Sequence, residues 1–239
     1  MKAILFDFGG TLDTDGIHWS EKFWDVYQFF NVLVTKQQYE EAYVFSENNM
    51  QAKVKPGDTL EATLKQQVTM QIEYLTDKKY LITSSNESLI NKIHGKCFTE
   101  VLENIKTIEE ILKRLRQNYI LGVVSNFYGN LSLALDNLKI KELFDIFIDS
   151  TLVGIKKPDP QIFQIALNRI GIYSSDTVVI GDSYDRDIQP AKILGCTTIW
   201  LDGKSWTKPK DTSDADYRIN SIKEVENILL NITQKKSNN

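Results

Sequence analysis

Four polar residues stand out for what precedes them. Asp7 closes the apolar run Ala3–Phe6 and leads into Gly9, Gly10 and Thr11. Ser125 and Asn126 close YILGVVSN, Asp182 follows the run TVVIG, and Lys157 lies in the loop VGIKKPDP beside Lys156. Two carboxylates, a hydroxyl and an ammonium suit phosphoryl transfer through a covalent aspartyl intermediate. A carboxylate is a weak nucleophile and an anionic phosphate repels it; a divalent cation between the two removes the repulsion and aligns the attack. Mg2+ takes hard oxygen ligands and keeps several waters, so one or two carboxylates are enough. Asp7 and Asp182 would supply them, while Lys157 and the Ser125 hydroxyl hold the other phosphoryl oxygens. Each residue alone has a plainer reading: a helix cap for Ser125, a solvated loop lysine, an acidic turn for Asp7 or Asp182. Four such residues at successive strand ends are harder to explain that way.

Placing them on one rim requires a parallel sheet. The runs Ala3–Phe6, Tyr119–Asn126, Ile146–Asp149, Thr177–Ile180 and Thr197–Leu201 are short and apolar throughout, the mark of strands covered on both faces. Helical stretches alternate with them: Ile108–Asn118, the region of Leu131–Leu138, Asp159–Ile170, the region of Asp185–Leu194, and a closing Ile222–Ile232 before a frayed KKSNN tail. The pattern predicts a doubly wound α/β fold, in which chemistry sits beyond the carboxyl ends of the strands. Between Asp13 and about Val101 only helices are expected. One carries Trp19, Phe23, Tyr27 and Phe30 at helical spacing, and the others are Lys36–Ala52, Asp58 or Thr59 to about Leu75, and Asn86–Phe98. The aromatic stripe reads as the buried face of a helix bundle rather than a cavity wall. The expected division is therefore a core of residues 1–15 and 101–239 with a small helical cap of residues 16–100.

The 239 residues are 42% hydrophobic and 25% charged, ordinary globular usage that suits one large domain with an insert. A net charge of −4 and a pI of about 5.4 give no basic field for nucleic acid. Cys97 and Cys196 lack metal or disulfide spacing. The apolar run near Met1 is too short for a signal-peptide core, and nothing approaches a membrane span. A soluble cytoplasmic protein is expected, monomeric or homodimeric, with no nucleic-acid or membrane partner.

The chain resembles the haloacid dehalogenase-like hydrolase superfamily. FDFGGTL, VVSN, KKPDP and IGDSYDRD resemble its four motifs, in order along the chain. The resemblance implies a Rossmann-like core with a mobile cap, here of the small helical-bundle kind. It implies Asp7 as nucleophile, with Ser125 and Lys157 also catalytic. The metal would be held by Asp7, the Gly9 carbonyl and Asp182, and Asp187 would support either the metal site or the lysine from one layer further out. Gly10, Thr11, Ser125, Asn126 and Lys157 would surround the phosphate of a small phosphorylated molecule. Lys157, directly before Pro158, takes the lysine position rather than Lys156.

One departure matters. Phosphatases of this superfamily carry a second aspartate two residues after the nucleophile, which protonates the leaving group; here that position is Gly9. General acid–base help is typically worth about 10²–10⁴-fold. The remaining readings are a phosphatase that is slow or uses another proton carrier, with Asp13 and Asp15 in the hinge as weak candidates; a carbon–halogen hydrolase, whose leaving group needs no proton; a phosphonate hydrolase, which needs a cap lysine; or a catalytically impaired member that binds a ligand or protein.

Overall fold

The computed structural model describes residues 1–206 and 208–237. In chain order its elements are β1 (Ala3–Phe6), α1 (Trp19–Phe29), α2 (Lys36–Lys53), α3 (Leu60–Asp77), α4 (Asn86–Leu115), β2 (Ile120–Ser125), α5 (Leu131–Asn137), β3 (Ile146–Asp149), α6 (Ser150–Val153), α7 (Gln161–Ile170), β4 (Thr177–Gly181), α8 (Gln189–Ile193), β5 (Thr197–Leu201), β6 (Tyr217–Ile219) and α9 (Val225–Ser237).

The strands form one all-parallel sheet in the order β3-β2-β1-β4-β5-β6. The chain thus leaves β1 for β2 and β3 on one side and crosses to β4 on the other, a topological switch point at β1. Register sets the rim: Phe6 pairs with Val123 on one side and Ile180 on the other, and the Asp7 amide donates to the Ile180 carbonyl at 2.9 Å. Asp7, Ser125 and Asp182 follow those paired residues by one or two positions, so all three emerge at the same edge. The expected doubly wound fold is present.

Strand side chains alternate between two apolar layers. Ile4, Phe6, Val123 and Ile180 face the layer containing Ile105, Ile108 and Leu112 of α4. Leu5, Val124, Ile148 and Val179 face Ile162, Phe163 and Leu167 of α7. Burial on both sides explains why these strands carry no polar alternation.

Residues 19–115 hold four helices with three side-chain caps in the expected style. Thr35 and Gln38 form a reciprocal capping box at α2, Thr59 accepts from the Ala62 amide at α3, and Ser85 accepts from the Ser88 amide at α4. Helix α1 begins at Trp19, where the His18 side chain accepts from the Ser20 amide. The two helices expected over Asn86–Phe98 and Ile108–Asn118 are one continuous helix of 30 residues, α4. No proline or glycine break interrupts it after Gly95, and its buried residues run from Ile90 through Leu115. It passes straight through position 100/101.

Three further features depart from the sequence expectation. A sixth strand, β6, extends the sheet at Tyr217–Ile219; at three residues, it is too short for a period to show. The helix expected around Asp185–Leu194 is a wide turn at Tyr184–Ile188 followed by the short α8. Helix α9 continues to Ser237 through part of the expected frayed tail, and Asn238 and Asn239 lie outside the described residues. Among the described residues no helix is long and apolar enough to cross a membrane.

Candidate active site

After β1 the chain makes one wide turn, residues 8–12, whose backbone needs Gly10. Its φ is +93°, and a Cβ there would lie 2.5 Å from Asp182 Oδ2. Glycine therefore allows both the turn and the approach of the second carboxylate. Thr11 Oγ1 lies 3.2 Å from both Asp7 Oδ2 and Asp182 Oδ1, and accepts from the Asp182 amide at 3.0 Å. Asp7, Asp182 and Asp187 each offer one carboxylate oxygen within 4.8 Å of the others.

Lys157 enters this cluster from the β3–α7 connection. Its ammonium bonds Asp7 Oδ1, Asp187 Oδ1 at 2.6 Å and the Val124 carbonyl at 3.1 Å, and the residue is buried. Lys156 is exposed. Burial disfavours the Lys157 ammonium, but the facing Asp187 and Asp7 carboxylates outweigh it and lift its pKa above the ordinary lysine value. The loop is held by Asn126, whose amide accepts from the Lys157 main-chain N–H at 2.8 Å and donates to its carbonyl at 3.0 Å.

Three carboxylates against one ammonium leave two formal negative charges in a buried space. Burial, then repulsion from Asp7 and Asp187, pushes the Asp182 carboxyl well above its ordinary range. Burial pushes Asp187 up to about 6, with Lys157 opposing and Asp7 adding to the rise. These are the signs of excess negative charge, and an all-oxygen set of this kind fits a hard divalent cation.

The carboxylates open onto a cavity of about 110 Å³ lined on the core side by Asp7, Gly9, Ser125 and Lys157 and on the helical side by Tyr43, Glu47 and Gln67. It adjoins an outer chamber of about 410 Å³; His18, Tyr43, Glu47 and Arg186 line both. Of the residues singled out in the sequence, Asp7, Gly9, Ser125, Asn126, Lys157, Asp182 and Asp187 all reach the inner cavity. Gly10 and Thr11, expected at the phosphate, are not among its lining residues. The Gly10 N–H is taken by Asp13 Oδ1 at 2.7 Å, and Thr11 braces the carboxylates. The Asn126 amide is committed to the Lys157 backbone. Asp187 accepts from the Lys157 ammonium and from the Ser183 amide.

Several cavity residues were outside the sequence reading. Trp19, read as part of the buried stripe with Phe23 and Tyr27, does pack on Phe23 with ring centroids 4.9 Å apart, but it also touches Gly9 and lines the cavity. His18 and Arg186 also face it, and burial, then the Arg186 charge, lowers the His18 pKa. Arg186 stands one residue before Asp187, the available sequence signal. Asp149 is another strand-end acid; it accepts from the Gly129, Leu131 and Thr151 amides and so shapes the loop after β2.

The haloacid dehalogenase-like hydrolase family model matches residues 1–195. The chain is 37% identical over 95 residues to the glyceraldehyde 3-phosphate phosphatase of Methanocaldococcus jannaschii, covering 40% of this chain and 42% of that protein. It is 26% identical over 146 residues to the pyrimidine 5'-nucleotidase YjjG of Escherichia coli, covering 60% of this chain and 62% of that protein. The matches thus span less than two thirds of the length of these curated relatives. A solved structure of a dehalogenase superposes over 95% of this chain and 96% of its own, with a TM-score of 0.64 and 16% identity, a likeness of fold.

Proposed function

The chain belongs to the haloacid dehalogenase-like hydrolase family, and on that premise we propose that it is a Mg2+-dependent phosphatase acting on a small phosphorylated metabolite through an aspartyl-phosphate on Asp7. The observation that carries this reading is the cluster of buried Asp7 and Asp187 and half-buried Asp182, with Lys157 paired to Asp7 and Asp187, three carboxylates against one ammonium. Asp7, Asp182 and the Gly9 carbonyl would hold the cation; once bound, it would neutralise the phosphate and steer it toward the carboxylate. Lys157 and Ser125 would bind the phosphoryl oxygens. Asn126 would fix Lys157, and Asp187 would orient its ammonium. Helices α1–α3 and the first half of α4 would act as the cap over the core of residues 1–15 and 101–239, supplying Tyr43, Glu47 and Gln67 to the substrate wall.

The test is hydrolysis of a nitrophenyl phosphate with Mg2+ and with chelator. Turnover should require the metal and should disappear in Asp7→Asn; metal-independent turnover would exclude the proposed metal role. Carbon–halogen hydrolysis is the second reading. It is favoured by Gly9, since a departing halide needs no proton, and opposed by the acid cluster. Halide release from short 2-halo acids separates the two. The phosphonate reading gains nothing, because among the described residues no lysine of residues 16–100 lines either cavity.

A further inference from the structure

We propose that Asp13 is the catalytic acid and base of this site, doing from position 13 the proton work for which position 9 has no side chain; the inference rests on the phosphatase reading above. Three placements carry it. The Trp19 indole lies beside Gly9, with Cδ1 and Nε1 3.7 and 3.8 Å from where a Cβ would stand, so it borders the space that a side chain at position 9 would enter. The same indole N–H donates to Asp13 Oδ2 at 2.7 Å, while Asp13 Oδ1 accepts from the Gly10 N–H, the amide immediately after Gly9. The Asp13 carboxyl therefore lines the inner cavity beside the vacant position, 1% exposed.

Asp15, the other hinge acid, turns away. Its oxygens accept from Ser221 Oγ and the Ile222 amide, both at 2.7 Å, at the start of the turn before α9. The Asp13 segment is further pinned where Asn104 of α4 donates to the Leu12 carbonyl at 3.0 Å. The Gly10 and Trp19 N–H groups and the Thr14 side chain account for three of the roughly four acceptor sites of the Asp13 carboxyl, so the group is fixed in plane yet can still carry a proton. Burial, against the lowering effect of the Gly10 and Trp19 N–H groups and the Thr14 side chain and with a push from Asp7, brings its pKa up to about 7, where proton transfer in both directions is accessible. The titratable groups around the same cavity are Asp7, Asp182, Asp187 and Lys157 from the core, Tyr128 from the loop after β2, His18 from the segment before α1, and Glu47 and Tyr43 from α2; Arg186 adds a fixed charge.

The proton balance is complete within the site. Asp7 Oδ attacks phosphorus and the bond to the leaving oxygen breaks, its electron pair taking the Asp13 proton to give an alcohol. Water then attacks the aspartyl-phosphate, gives one proton to the Asp13 carboxylate, and the phosphorus–Asp7 bond breaks to release phosphate. The net reaction is phosphomonoester plus water to alcohol plus phosphate.

The experiment compares glycerol 3-phosphate, whose alkoxide must be protonated, with a nitrophenyl phosphate, whose phenolate need not be. Asp13→Asn should slow the alkyl ester about 10²–10⁴-fold. The aryl ester should give a burst of one equivalent of nitrophenolate at close to the wild-type rate, then a slow steady state as phosphoenzyme accumulates. A loss under about tenfold on the alkyl ester, or equal losses on both without a burst, overturns the assignment. In Trp19→Phe, loss of the indole donor should move the alkaline limb of kcat/KM to higher pH. An unmoved limb also overturns it, and this variant decides the matter if Asp13→Asn does not fold. Wild-type protein with Mg2+ that hydrolyses neither ester refutes the phosphatase reading itself, and the assignment falls with it.

Discussion

Lys157→Met tests the charge balance on which the site depends. The substitution keeps most of the side-chain volume and removes the one ammonium that bonds Asp7 and Asp187. What remains is two buried carboxylates and a half-buried one, Asp182, with oxygens within 4.8 Å of one another. Removing one partner of a buried ion pair typically costs about 3–5 kcal/mol, because the other charge stays buried and unpaired. For a chain of this size that corresponds to a fall in Tm of roughly 6–20 °C, at about 2–4 °C per kcal/mol. The assay is thermal unfolding of wild type and variant at pH 8 and pH 5 in chelator. The Asp187 and Asp182 carboxyls have folded pKa values raised above their unfolded ones. Such groups favour the folded state most below the unfolded pKa near 4, and that contribution is lost as pH rises through the folded pKa. Without Lys157 they protonate still more readily, so the gap between variant and wild type should be wide at pH 8 and narrow at pH 5. A gap under about 2 °C at pH 8, or one equally wide at both pH values, would refute the reasoning.

The metal reading makes a related pH prediction. A proton and a cation compete for Asp182, so stabilisation by Mg2+ should be large at pH 8 and vanish near pH 5; calorimetric scans showing a pH-independent increment would count against this site. Asp7→Asn should abolish phosphate release while leaving Tm equal or slightly higher, because one of three crowded charges disappears; a variant with near wild-type turnover removes Asp7 as nucleophile. Gly10→Ala should destabilise by about 1–3 kcal/mol through its left-handed backbone and the approach of Asp182. Gly9→Ala, whose Cβ would make ordinary contact with Trp19, should stay within about 0.5 kcal/mol. Chemical denaturation of the pair checks both, and equal losses would contradict the backbone account.

The rim acids, the order of strands and helices and the missing acid at Gly9 are all legible in the chain. Runs such as Ile4-Leu5-Phe6 and Val178-Val179-Ile180 announce buried parallel strands through composition alone, and the polar residue ending each run marks where the pocket must be. Those signals are local. They depend on a periodicity of two or 3.6 residues and on what directly follows it. Strand β6 is too short for that rule, and the uninterrupted α4 carried two apolar segments whose connection only packing reveals.

What the sequence determined by itself was thus five of the six strands of the described sheet, its polar edge and the absence of a side chain at position 9. The tertiary structure decided which way neighbouring residues of like type turn. Lys157 turns inward and Lys156 outward; Asp13 turns into the cavity and Asp15 toward Ser221; Trp19 keeps its contact with Phe23 while also packing on Gly9. The reason is electrostatic and steric. Which neighbouring charge can be buried depends on whether opposite charge and N–H donors meet it there, and at Lys157 those partners come from residues 150 and 30 positions away in the chain.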